Sequence, residues 1–204
     1  MIIPRSSPFS PYVRKINISA RLLCLSEQIK LEPADTTNPD DSLRQQNPLG
    51  KLPTLILEDG TALFDSRVIV EYLDSLSNKT SIIPATAPQR WEALRMQALA
   101  DGILDAAVLQ VYEVRFRPDE RRDARWTDYQ AAKVGRALTI LDAAPPAFNP
   151  AEIHIGVIAI ACALGYLDLR FAGTWRENYP NLVTWLDQFA AAVPAYDETK
   201  PPPA

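Results

Sequence analysis

Residues 53–58 and 61–64 are two short apolar runs separated only by Asp59-Gly60. Asp-Gly between alternating apolar residues is the strongest short-range signal for a two-residue hairpin. A hairpin alone is marginal in water and needs further strands or a helix against its apolar face. The chain supplies both. Ile69, Tyr72, Leu73 and Leu76 mark one face of a helix directly after the hairpin. Upstream, Ile2 and Ile3 begin a strand, and Val13, Ile16, Ala20 and Leu23 recur at helical spacing. Residues 28–31 read as a second short strand and 40–46 as a polar helix or turn. The order β-α-β-(α)-β-β-α combines one parallel βαβ unit with one antiparallel hairpin. It predicts a four-stranded mixed sheet with helices packed on it.

Residues 78–88, with two prolines and no periodicity, read as a linker. Beyond it the pattern is helical only, at 88–114, 123–141, 157–169 and 181–192. The stretch 157–169 is apolar nearly all round, as in the central helix of a bundle. The fold class is therefore α/β plus all-α, with domains at 1–78 and 88–200, and residues 200–204 as a loose tail. No internal repeat is present.

Of the 204 residues, 47% are hydrophobic and 23% charged, and the net charge is −4. There is no basic field to attract nucleic acid or anionic lipid. No run reaches the roughly 18 apolar residues of a membrane span. Pro4 and Arg5 follow three apolar residues, unlike the order of a signal peptide. A cytoplasmic location is expected. Cys24 and Cys162, both within helical apolar patterns, are expected to be buried reduced thiols. The single histidine, His154, excludes a His-rich metal centre and is expected to sit at a surface or to cap a helix. No glycine-rich nucleotide cradle occurs.

Three strings carry a resemblance to a known family. "SPFSPYVRKI" resembles the first loop and helix of the glutathione S-transferases. "NPLGKLPTLILEDGTALFDSRVIVEYL" resembles their glutathione-binding core. "IAIACALGYLDLRF" with "PNLVTWLDQFAA" resembles the central and final helices of small bacterial members. The resemblance implies a thioredoxin-like first domain that binds glutathione as co-substrate and a helical second domain that lines the site for a small hydrophobic electrophile. It also implies a homodimer.

The resemblance also implies roles. Lys51, Leu52 and Pro53 would belong to the glutathione site. Pro53 would follow a cis peptide, leaving the Leu52 N–H and C=O to pair with the cysteinyl part of glutathione as an added strand. Ser66, before an apolar-periodic run, reads as a helix N-cap, and a helix start suits a carboxylate. The family likeness assigns that carboxylate to the γ-glutamyl group, with Asp65 facing its ammonium. Asp101 would reach a partner's glutamyl ammonium; without the resemblance it reads as an exposed helical aspartate. Leu104, Val108, Gln110, Tyr112 and Arg115 could border the electrophile.

Attack by the glutathione sulfur needs a thiolate. Lowering a thiol pKa of ~8.5 by ~2 units requires about 2.7 kcal/mol of preferential anion binding. A serine hydroxyl is too weak an acid to serve as base here, but it can donate a hydrogen bond to the anion, worth about 1.5–3 kcal/mol. Ser6, Ser7 and Ser10 are the candidates. Pro11 suits a first helical position, which makes Ser10 the N-cap. Ser7 lies before the helix and matches the family's active serine or cysteine. Ser7 is preferred, with Ser10 second, and Tyr12 is taken as packing or pocket wall. With serine at position 7, conjugation, isomerisation, dehalogenation or peroxide reduction through glutathione's own sulfur remain. A non-catalytic glutathione-binding protein is the alternative. A thioredoxin-fold redox protein would need an active cysteine.

Two positions depart from the family pattern. His154 and Val157 stand where relatives carry a Ser/Thr-x-x-Asp capping box, a loss of about 0.5–2 kcal/mol. Pro4 falls within the expected central strand, where a backbone donor is normally needed.

Overall fold

A computed structural model describes residues 1–202, so part of the expected tail, residues 203 and 204, lies outside the described residues. The chain divides into two compact units: Met1–Arg90 joined by the segment from Pro194, and Trp91–Val193.

In the first unit the elements run β1 (Ile3–Ser6), α1 (Pro11–Leu22), β2 (Glu32–Pro33), α2 (Leu43–Gln46), β3 (Thr54–Ile56), β4 (Ala62–Leu63) and α3 (Ser66–Leu76). The sheet order is β2-β1-β3-β4, with β1 parallel to β2 and antiparallel to β3. This is the mixed four-stranded sheet the pattern predicts. Val13, Ile16 and Ala20 of α1, Leu23 at its C-cap, and Ile69 and Leu73 of α3 are buried. The second strand lies later than expected. Gln28 belongs to a 3₁₀ turn, Ile29 makes one isolated bridge to Ile2, and regular pairing begins only at Arg5–Glu32.

Pro4 explains that gap. It lies in a central strand opposite Leu55. Lacking an N–H, it cannot form a hydrogen-bonded antiparallel pair, so those pairs fall on Ile3–Ile56 and Arg5–Thr54. Its missing donor points to the other neighbour, where pairing with β2 is interrupted.

The hairpin turn is longer than two residues. The Gly60 N–H donates to Leu57 O at 3.0 Å and the Leu57 N–H to Thr61 O at 2.9 Å, with Gly60 at φ +86°. Three residues, Glu58 to Gly60, form the loop, with glycine in the left-handed position of a bulge. The expected linker is anchored. The Asp74 carboxylate accepts from the Ile82 N–H at 2.6 Å and from Ser81 Oγ at 2.9 Å, and Ile82 and Ile83 are buried.

The second unit holds α4 (Gln89–Phe116), α5 (Ala124–Ala143), α6 (Ile155–Arg170) and α7 (Pro180–Ala192), α4 starting at the junction. Every residue of α6 from Ile155 to Leu167 is buried, as its all-round apolar pattern requires. At its start Gly156 permits close approach to α4: a Cβ there would lie 2.7 Å from Met96 Cβ and 2.8 Å from Ala93 O. The unit closes at Val193, short of the expected boundary at 200. The final helix α8 (Pro194–Glu198), absent from the sequence reading, docks on α1 of the first unit. There the Arg14 guanidinium donates to Tyr196 O at 2.7 Å and covers the Tyr196 ring at 4.0 Å.

Cys162 is buried, but Cys24 is exposed. α1 ends at Leu22, and Cys24 follows at φ +58°, outside the helical face that the periodicity extended to it.

Candidate functional site

The sheet register brings the sequence candidates of the first unit to one end. Arg5 pairs with Thr54, and Leu55 with Leu63. Ser7 follows the end of β1, Leu52 precedes the start of β3, and Ser66 follows the end of β4, all at this end of the sheet. Three strand ends thus form one row, each with polar groups beside it.

At the first tip, Ser10 caps α1. Its Oγ accepts from the Val13 N–H at 3.3 Å, and Pro11 follows at the first helical position. Ser7 is half-buried in the preceding turn, which the Ser10 N–H closes on Ser7 O at 3.1 Å. No hydrogen-bond partner of the Ser7 hydroxyl occurs among the described residues. Ser6 is buried at the end of β1.

At the second tip the Leu52–Pro53 peptide is cis, and Pro53 is buried while Lys51 is exposed. No partner of the Leu52 N–H or C=O occurs among the described residues. The loop carrying them is held from beneath by Asn47, which is 1% exposed. Its Nδ2 donates to Lys51 O and to Thr54 Oγ1, both at 3.1 Å, and its Oδ1 accepts from the Leu49 N–H at 3.0 Å. Thr54 Oγ1 in turn donates to Lys51 O at 3.0 Å. Asn47 was missed in the sequence reading; the only signal was a polar residue opening the loop string.

At the third tip the cap is not the expected one. Asp65, extended at φ −87° and ψ −161°, is the N-cap of α3, and its Oδ1 accepts from the Arg67 N–H at 2.8 Å. Ser66 is the first helical residue, 3% exposed. Both residues carry a capping oxygen; the extended backbone at Asp65 selects the earlier one. The Ser66 hydroxyl therefore has no capping bond to make.

Behind β1, the Arg5 guanidinium fastens the segment that leads to Asn47. It donates to Ser42 Oγ at 2.7 Å, Gln46 Oε1 at 2.8 Å and Asp41 Oδ1 at 2.9 Å. The N–H groups of Asp35 and Leu43, with Arg5 beside them, hold the Asp41 carboxyl below its ordinary range.

Asp101, in α4 of the second unit, is 1% exposed and not the exposed helical aspartate that periodicity alone suggests. His154 is the N-cap of α6, its Nδ1 accepting from the Gly156 N–H at 3.2 Å. The expected loss of the capping box is thus half corrected: imidazole replaces the hydroxyl, while Val157 supplies no return bond. Burial lowers the His154 pKa, opposed by the charge of Glu92.

An open depression of about 610 Å³ lies at the opposite end of the sheet, around Ile2, Leu57, Tyr72 and Leu76, away from the row of Ser7 and Leu52. Among the described residues no group of three His, Cys, Asp or Glu could hold a metal ion, and no helix is long and apolar enough to cross a membrane.

Residues 6–81 match the family model for the glutathione S-transferase N-terminal domain. The chain is 32% identical over 200 residues to the uncharacterized GST-like protein YibF of Escherichia coli K12, covering 96% of each. A crystal structure of a glutathione transferase family member from Pseudomonas fluorescens Pf-5, with bound glutathione, superposes with a TM-score of 0.93 at 38% identity. It covers 99% of this chain and 100% of that one. A second structure of a family member from that organism, with bound S-(propanoic acid)-glutathione, has a TM-score of 0.88 at 37% identity, with the same coverage.

Proposed function

Because this chain belongs to the glutathione S-transferase family, we propose that it binds glutathione along the tips of its sheet and activates the thiol for attack on a small electrophile. The observation that carries this reading is that Ser7, Leu52 and Ser66 lie just beyond the ends of β1, β3 and β4 on the same side of the sheet. Each contributes polar groups with no partner among the described residues.

Glutathione is an extended tripeptide with a carboxylate at each end and an ammonium at one. Its cysteinyl main chain pairs with the Leu52 N–H and C=O, as an added strand would. The γ-glutamyl carboxylate sits at the start of α3, on the Ser66 hydroxyl and N–H, where the helix dipole favours an anion. Asp65 spends Oδ1 on capping and keeps Oδ2 for the glutamyl ammonium. The exposed Lys51 cation meets the tripeptide's other acid end. Ser7 donates its hydroxyl hydrogen to the sulfur. That bond is worth about 1.5–3 kcal/mol, against the roughly 2.7 kcal/mol needed for a two-unit fall in thiol pKa. Ser10 cannot substitute without uncapping α1. A homodimer in which Asp101 meets the partner's glutamyl ammonium belongs to the same proposal.

The glutathione-bound P. fluorescens relatives support the binding half, and the thioether held by one of them supports chemistry at sulfur. Isothermal calorimetry with glutathione, paired with conjugation of 1-chloro-2,4-dinitrobenzene, tests the reading. Saturable heat with turnover is the expected result. Heat without turnover leaves a binding protein, and no heat at millimolar glutathione overturns the proposal.

A further inference from the structure

We propose that Arg14 and α8 form a brace that holds the Ser7 turn in place, which makes Arg14 a positioning residue for the thiol chemistry. This rests on the transferase reading above and adds to it the part of the chain that aims the sulfur's donor.

Three hydrogen bonds run in series from α8 to Ser7. The Arg14 guanidinium donates to Tyr196 O at 2.7 Å, the Arg14 N–H to Ser10 O at 3.0 Å, and the Ser10 N–H to Ser7 O at 3.1 Å. The guanidinium is fixed in orientation as well as in place. It covers the Tyr196 ring with 4.0 Å to the centroid, and its Nε reaches Thr199 Oγ1 at 3.5 Å. Thr199 Oγ1 in turn donates to Ala195 O at 2.7 Å, which ties the far end of the brace back onto α8. Both ends of the series belong to the first unit.

Arg14 is 6% exposed, and no carboxylate among the described residues pairs with it. Burying an arginine without an acid is costly. Holding α1 in the core does not require it, because Val13, Ile16 and Ala20 already bury the apolar face. Apolar contacts are non-directional, however, and leave a helix free to roll or slide by fractions of an ångström. A guanidinium donating to a carbonyl and stacked on a ring removes that freedom. A tie that only fastened the C-terminal segment could lie anywhere on α1, as the exposed Arg21–Glu198 pair does in its last turn. Arg14 stands instead one turn after Ser10, the residue that caps α1 and closes the Ser7 turn. The Ser7 hydroxyl has no partner of its own among the described residues, so its aim depends on that turn.

The test uses the full chain and reads the pKa of the bound glutathione thiol, kcat with 1-chloro-2,4-dinitrobenzene, and glutathione affinity. Arg14→Gln removes the guanidinium, whereas Tyr196→Leu removes the ring and keeps the carbonyl. Both should raise the thiol pKa by about 0.5–1 unit and lower kcat about threefold to tenfold, part of the loss expected when the whole Ser7 bond is removed. Affinity should change less than about twofold, since the main-chain pairing at Leu52 is untouched. Arg14→Lys, which keeps a donor, should recover part of the loss, and Arg21→Gln should leave all three readings unchanged. In a Ser7→Ala background, Arg14→Gln should no longer move the thiol pKa. Tyr196→Leu carries the same test if Arg14→Gln does not fold. A thiol pKa unmoved by these variants, or an effect undiminished in Ser7→Ala, overturns the brace and leaves the transferase reading intact. If the wild type binds no glutathione, that reading fails, and hydrogen exchange at the Ser10 amide decides. Faster exchange in Tyr196→Leu than in the wild type upholds the brace, and equal exchange overturns it.

Discussion

The Asn47 side chain donates to the main-chain carbonyl of Lys51 at 3.1 Å, one residue before the cis peptide that presents Leu52. The bond is part-buried and has two companions on the same amide, to Thr54 and from Leu49. Asn47→Ala would leave the Leu49 N–H without its acceptor and the loop without its brace, costing about 1–3 kcal/mol of stability. Because the loop carries the proposed Leu52 contacts, glutathione affinity should fall about tenfold or more in protein that remains folded. Thermal melts and calorimetry on the same samples check both.

Ser7 and Ser10 are separated by what each hydroxyl already does. Ser10 is spent on the Val13 N–H, whereas Ser7 is not committed. Ser7→Ala should lower kcat roughly tenfold to a hundredfold and raise the bound thiol's pKa by about 1–2 units, the loss of one hydrogen bond to an anion. Ser10→Ala should instead cost about 0.5–2 kcal/mol of stability through the lost cap. Ultraviolet titration of the bound thiolate, with steady-state kinetics, distinguishes them. An unchanged thiol pKa in Ser7→Ala moves the role elsewhere.

Asp65 has two tasks that different substitutions can part. Asn is as good an N-cap as Asp, so Asp65→Asn should keep the melting temperature and weaken glutathione up to about fivefold, as befits an exposed ion pair. Asp65→Ala should lose the cap as well, at about 0.5–2 kcal/mol. If Asn and Ala variants melt alike, the Oδ1 bond to the Arg67 N–H is not stabilising α3.

His154 should make stability pH-dependent. Its Nδ1 is an acceptor, so the cap needs a neutral ring, and burial lowers its pKa in the folded chain. The unfolded chain titrates near pH 6.5, so below that value it binds protons that the folded chain refuses. The stabilisation is complete above pH 6.5 and is lost as pH falls toward the lower folded value. Since this is the chain's one histidine, a fall in melting temperature between pH 7 and 5.5 should flatten in His154→Asn, which caps without titrating. A slope that survives in the variant refutes the cap as its origin.

What could be read along the chain was whatever depends on neighbours within about four residues. Ser10-Pro11 marked the start of α1, apolar spacing marked α1 and α3, and the all-apolar run marked α6. The motif string around Pro53 implied a cis peptide, and the Leu52–Pro53 bond is cis. Where two adjacent residues could satisfy the same helix end, as at Asp65-Ser66, composition was indifferent and backbone conformation chose. The position of β2 depended on a donor missing from a different strand, at Pro4. Nothing in their immediate neighbours marks Asn47 or Arg5 as buried; they are braces because their partners come from segments brought to them by the fold. Local spacing sets which backbone hydrogen bonds form first, but a side chain's distant partners are set by sheet register and helix packing, which no single stretch of residues contains.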